Sequence, residues 1–93
     1  MVKAFLLMMA LATQPEEICE PTIDVIVLLS FTWGEVIVDR DTSPKTYEMQ
    51  LWANEKTGTW TIVSQHDSGV SCGHKAGVGY DGQTLKTILS EPT

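Results

Sequence analysis

Residues 69–73 carry the motif that looks most like catalytic chemistry. They read Gly-Val-Ser-Cys-Gly and fit the Gly-x-Ser-x-Gly pattern of a nucleophile elbow. Such an elbow places its serine in a tight turn between a strand and a helix of a large sheet, and an acidic residue and then a histidine follow along the chain. Here 20 residues follow Gly73, and their one histidine, His74, adjoins the motif. We therefore expect Ser71 to lie on an ordinary strand, and we predict no catalytic residue and no enzyme.

Residues 77–82 fit a second motif, the Gly-x-Gly-x-x-Gly pattern of dinucleotide-binding proteins. That pattern binds pyrophosphate only between a strand and a full helix, with an acidic residue about 20 positions further on. Eleven residues follow Gly82. We interpret the segment as a glycine-rich turn and expect no cofactor.

Two cysteines and two histidines could in principle hold a zinc ion: Cys19, His66, Cys72 and His74. The spacing His-x5-Cys-x-His is not a recurrent ligand pattern. Alternation along a strand would also place Cys72 and His74 on one face without any metal. We therefore expect no metal site.

The first 12 residues have the features of a secretory signal peptide. Lys3 precedes a short apolar run that ends in Ala10-Leu11-Ala12, a small-x-small cleavage pattern. The run is shorter than the ~20 residues needed to cross a bilayer. We expect residues 1–12 to be removed and residues 13–93 to form one small exported domain, periplasmic or extracellular, with no membrane span. A buried N-terminal strand or helix is the alternative.

Export gives the two cysteines a structural use, because thiols oxidise outside the cytoplasm. The one available pairing, Cys19 with Cys72, would close a loop of roughly fifty residues and stabilise the fold by about 4 kcal/mol. This is a large share of the stability of a small domain.

The composition and charge of the chain indicate which class of molecule it binds. The chain has 93 residues, is 43% hydrophobic and carries a net charge of -6, which is typical of a globular, acidic domain. Its lysines and arginines are scattered, whereas nucleic-acid binding requires them clustered. We expect a protein partner and no nucleic acid.

The elements that would position these residues begin at Pro21. A proline at the start, Asp24 in the first turn and Gly34 as a C-terminal cap favour a helix up to Trp33. The β-branched content favours a strand instead, and the length favours the helix. As a helix it is apolar nearly all round, with one face made of Ile23, Ile26, Val27 and Ser30 and the other of Val25, Leu28 and Leu29.

The remaining elements are predicted to be strands. A short strand spans Val36–Val38, and three more alternate with turn-forming clusters between Tyr47 and Ala76. On the last of them Val70, Cys72, His74 and Ala76 would share one face. Short connections between consecutive strands predict an antiparallel meander of about four strands. Residues 85–89 have the spacing of one helical turn, or form a frayed tail.

Aromatic residues are the candidate binding groups. Trp52 and Trp60 lie on strands, and Tyr80 lies in the glycine-rich segment. If a helix covers one face of the sheet, one of the two, Trp52 or Trp60, is expected on the open face. An exposed indole there would be a natural anchor for a binding partner. The alternative is that Trp52 covers the margin of the core.

Short segments recur here in a recognisable order: Cys19, Gly34-Glu35, Trp52-Ala53-Asn54, Thr57 to Thr61, Gly69 to Cys72, and Gly77 to Tyr80. After a signal peptide, this order resembles an uncharacterised family of small exported proteins of proteobacteria and their phages. The resemblance covers most of the chain after the signal peptide. It implies the helix and the Cys19–Cys72 bond, and it implies no activity.

The sequence thus predicts an α+β domain, with an N-terminal helix packed on the meander and one disulfide. The predicted function is that of a non-enzymatic exported binding or accessory protein, and the resemblance includes a phage-encoded origin. The alternative is a small structural component of an envelope or virion assembly.

Overall fold

The computed structural model describes residues 18–90, which form five strands and two helices. The predicted signal peptide, residues 1–12, lies outside this range. The elements are β1 (Ile18–Pro21), α1 (an α-helix over Thr22–Val27 that continues as a π-helix over Leu28–Thr32), β2 (Val36–Asp41), β3 (Tyr47–Ala53), β4 (Trp60–His66), β5 (Val70–Gly77) and α2 (Leu85–Ser90).

The strands form one antiparallel sheet in the order β1-β5-β4-β3-β2. The four strands β2 to β5 are the predicted meander. The prediction was wrong in two respects: there is a fifth strand, and the long helix follows this strand instead of opening the fold. The added strand is β1, whose four residues show no apolar alternation and whose pairing places Cys19 opposite Cys72.

Residues 22–32 form the predicted helix rather than a strand. Pro21 precedes it, and Gly34 ends it with a φ of 64°, a conformation in which glycine is favoured. Its inner face packs Leu29, with Val25 beside it, on Trp52 and Val63 of the sheet. The two predicted faces are confirmed, because Ile23, Ile26, Val27 and Ser30 are all exposed.

The opposite face of the sheet has its own apolar core. Leu85 and Ile88 of α2 pack on Leu51 and Ile62 from the central strands. The Thr84 hydroxyl accepts from the Thr87 amide at 3.2 Å and so caps the N-terminus of α2. The Asp39 carboxylate accepts from the Leu85 amide at 2.8 Å and ties the helix to β2. Residues 85–90 are therefore a helix and not a frayed tail, and both faces of the sheet are covered.

Two β-bulges break the predicted alternation. In β5, Gly73 lies opposite Val63 and Lys75 lies opposite Ile62, so His74 is an extra residue. Cys72 and Ala76 consequently lie on opposite faces, contrary to the prediction. A second bulge makes Val38 the extra residue in β2, which is the edge strand at the far side of the sheet.

The disulfide between Cys19 and Cys72 is present, as predicted, and links residues 53 positions apart. The start of α1 is also attached to β5, because the amide of Thr22 donates to the Gly69 carbonyl at 3.0 Å. Within residues 18–90, neither helix has the length and apolar content that a bilayer crossing requires.

Candidate functional site

Ser71 does not have the geometry of a nucleophile. It lies inside β5, paired with Glu20 of β1 and Gln65 of β4, and it is only 2% exposed. Its hydroxyl is hydrogen-bonded to the Thr22 hydroxyl at 2.9 Å. As expected, Ser71 is on an ordinary strand. It helps to hold α1 to the sheet.

The glycine-rich segment packs over the β3–β4 loop. The Trp60 indole N–H donates to the Val78 carbonyl at 3.2 Å, and the Tyr80 amide donates to the Gly58 carbonyl at 2.9 Å. A Cβ on Gly77 would lie 2.7 Å from the Trp60 ring. Gly77 therefore permits close contact between backbone and ring, and Gly79 and Gly82 have φ values of 81°, a conformation in which glycine is favoured. These roles account for the motif without a phosphate.

The three predicted binding aromatics do not form one surface. Trp52 is 6% exposed beneath α1, and its indole N–H donates to Gln50 Oε1 at 2.9 Å. Trp60 and Tyr80 are half-buried on the other face of the sheet, against the core of α2. Desolvation, together with the negative charges of Glu55 and Asp39, raises the pKa of Tyr80.

Four of the exposed large apolar residues within residues 18–90 lie on α1. We define the outer face of α1 as Ile23, Ile26, Val27 and Phe31. Ile23 is 63% exposed and Phe31 is 83% exposed, while Ile26 and Val27 lie between them on the same side. The sequence identified most of this face but gave no sign that it would stay uncovered, because an all-round apolar helix is normally buried on all sides.

The charged residues of the chain segment that carries this face are all acidic. Residues 18–39 contain no lysine or arginine. Glu20 and Asp24 are exposed near the start of α1. Glu35, just after its end, is fully buried and accepts a hydrogen bond from the Thr61 hydroxyl at 2.9 Å. The outer face of α1 is therefore an apolar surface with an acidic rim at its start, formed by Glu20 and Asp24.

A polar cluster lies on the α2 face of the sheet, where Ser64 contacts two histidines. Ser64 Oγ is 2.8 Å from His66 Nε2 and 2.7 Å from His74 Nε2, and the His66 ring stacks on Tyr47 with centroids 5.2 Å apart. Ser64 is buried. It therefore cannot reach a substrate as a nucleophile.

The four-ligand zinc site considered from the sequence is not formed. Both cysteines are oxidised in the disulfide, so neither supplies a thiolate. Across residues 18–90, no group of three or more histidine, cysteine, aspartate and glutamate side chains is placed to hold a metal ion.

Comparison of the chain with protein-family models, with curated proteins and with solved structures finds no match.

Proposed function

We propose that this is a non-enzymatic, exported binding protein that recognises another protein through the outer face of α1. The observation that carries the proposal is the exposure of that face. The helix needs only its inner residues, chiefly Leu29 and Val25, to pack on the sheet. The apolar outer residues therefore have no role in the core of the domain.

The outer face has enough apolar surface to anchor a partner. Burying one exposed isoleucine or phenylalanine side chain is worth about 1.5–3 kcal/mol. Ile23 and Phe31 are the most exposed members of the face, and they mark its two ends. A partner helix or groove that contacted both would also cover Ile26 and Val27. This is the arrangement in which a few central side chains provide most of the binding energy.

The acidic rim indicates the chemistry of the partner. Glu20 and Asp24 lie beside the apolar stripe, and the first basic residue after the helix is Arg40. Arg40 is engaged with Glu48 at 3.3 Å. We expect a partner surface that is apolar at its centre and carries lysine or arginine at its edge. A second copy of this chain would bring like charges together, which disfavours self-association through this face.

Export belongs to the same proposal. The disulfide is compatible with an oxidising compartment, and the signal-peptide features of residues 1–12 support removal of that segment on export. The resemblance to small exported proteins of proteobacteria and their phages gives the expected setting, the periplasm or the exterior of such a cell.

A photo-crosslinking residue placed at position 31 of the exported chain tests the proposal, with the same residue at position 78 as the matched control. Val78 is 77% exposed and lies in the glycine-rich segment, away from α1. We expect a discrete product of higher mass from position 31 and none from position 78. Ile23→Gln should remove the product, and Asp24→Asn should weaken it more at low salt than at high salt.

Other outcomes would contradict the proposal. A product with the mass of two copies would favour the alternative, a structural component that assembles with itself. Equal products from positions 31 and 78, or none from either, would show that the outer face of α1 is not a recognition surface.

A further inference from the structure

The second inference concerns the opposite face of the sheet, where the bulge in β5 brings two histidines together. Ser64 and His66 lie on the same face of β4, two residues apart. The extra residue His74 turns its ring toward them from β5. Because both Nε2 atoms contact one oxygen, at 2.8 and 2.7 Å, they are at most 5.5 Å apart.

The hydroxyl between the rings is compatible with more than one arrangement of their protons. A serine hydroxyl has one proton and two lone pairs, so it can donate to one Nε2 and accept from the other, or accept from both. Each Nε2 presents a lone pair to a metal in the tautomer that carries the ring proton on Nδ1.

We propose that His66 and His74 form a two-histidine binding site for a first-row divalent transition metal, with water completing the coordination. Metal–imidazole bonds of about 2.0–2.1 Å require the two nitrogens to approach to about 3–4 Å. His74 is exposed, so its ring has room to make this movement. The Ser64 hydroxyl then becomes a hydrogen-bond partner for a metal-bound water.

The surroundings admit a cation. His66 lines an open groove of about 480 Å³ between the β2–β3 connection and the β4–β5 turn. The groove is also lined by Lys45, Asp67 and Glu48, and Glu48 is paired with Arg40, so the local charges balance. The chain as a whole carries a net charge of -6, which attracts a divalent ion.

Ligand chemistry sets the selectivity. Imidazole suits copper, nickel and zinc, whereas magnesium and calcium prefer oxygen ligands. The expected order of affinity is copper(II) above nickel(II) and zinc(II). Affinity should fall as the pH is lowered, because protons compete with the metal for the ring nitrogens.

Titration of the disulfide-bonded chain with Cu²⁺, followed by tryptophan fluorescence, tests this site. Chelation by two rings adds the second bond intramolecularly, so His66→Asn or His74→Asn should each weaken binding by roughly 100-fold. Ser64→Ala is the matched control: it keeps both ligands and removes only their shared hydrogen bonds to the hydroxyl, so it should bind Cu²⁺ about as tightly as the unaltered chain. Mg²⁺ should have no effect.

Electron paramagnetic resonance of the unaltered chain with one equivalent of Cu²⁺ provides a readout that requires no substitution. We expect the signature of two imidazole nitrogens. One nitrogen or none, or single-histidine variants that bind as well as the unaltered chain, would overturn the proposal. The site lies on the face of the sheet opposite α1, so this result is independent of the crosslinking result.

Discussion

The disulfide offers the most quantitative test of how this fold is stabilised. Replacing Cys19 and Cys72 together by alanine removes the bond without leaving a free thiol. The 53-residue separation corresponds to about 4 kcal/mol of loop entropy in the unfolded chain. A domain of this size is stable by about 5–15 kcal/mol in total. The double variant should therefore lose a large part of its stability.

The loss can be measured by urea denaturation followed by tryptophan fluorescence, because Trp52 and Trp60 report on the cores of the two faces. The same loss can be followed by thermal denaturation. For a domain of this size, 1 kcal/mol corresponds to roughly 4–8 °C in melting temperature, so the Tm of the double variant should fall by about 15–30 °C. A control variant, Thr22→Val, removes only the hydrogen bond between Thr22 and Ser71 and should cost about 1 kcal/mol. If the double variant loses no more than this control, the loop-entropy explanation is refuted.

Three further changes test the α2 face of the sheet. Gly77→Ala places a Cβ 2.7 Å from the Trp60 ring and should lower the free energy of unfolding, measured in urea, by about 1–3 kcal/mol. The control Gly73→Ala places a Cβ that meets no atom within 4 Å and should lower it clearly less. Equal losses of stability in the two variants would contradict the contact with Trp60. Asp39→Ala removes the carboxylate that accepts from the first amide of α2 and should cost about 0.5–1.5 kcal/mol, seen also as faster amide exchange in that helix; unchanged exchange would contradict this contact. Because the pKa of Tyr80 is raised in the folded chain, its contribution to stability is complete below the ordinary tyrosine pKa of about 10 and is lost as the pH rises through the raised value. The ultraviolet difference titration of the chain and its Tyr80→Phe variant should show this phenol ionising above that ordinary value, and ionisation at or below it would contradict the burial.

Regular features of the fold could be predicted from the sequence because they depend on local patterns. The two-residue alternation from Tyr47 to Ala53 gave β3 and its two faces. The proline and glycine around residues 22–32 gave the limits of α1. The pairing of Cys19 with Cys72 followed from there being two cysteines and a signal-peptide pattern.

The remaining features depend on contacts between distant segments. β1 has four residues, Ile-Cys-Glu-Pro, and becomes a strand only through its pairing with β5. The extra residues Val38 and His74 are visible only in the register between strands. The alternation placed Cys72 and His74 on one face, but the bulge at His74 moved Ala76 to the other, and the pairing that brings His74 to Ser64 is not contained in a local pattern. The burial of Trp52 follows from the position of α1, which strand periodicity does not determine.

The two edges of the sheet determine how copies of this protein behave when crowded. β1 offers only four residues and ends at Pro21, which has no amide hydrogen to donate. β2 is interrupted by the extra residue Val38 and carries Asp39, Arg40 and Asp41 in succession. Neither edge gives a neighbouring chain a long, flat row of backbone groups on which to add a strand. The folded protein should therefore resist fibril formation at high concentration, and α1 can keep its apolar face exposed without the sheet adding a second route to self-association.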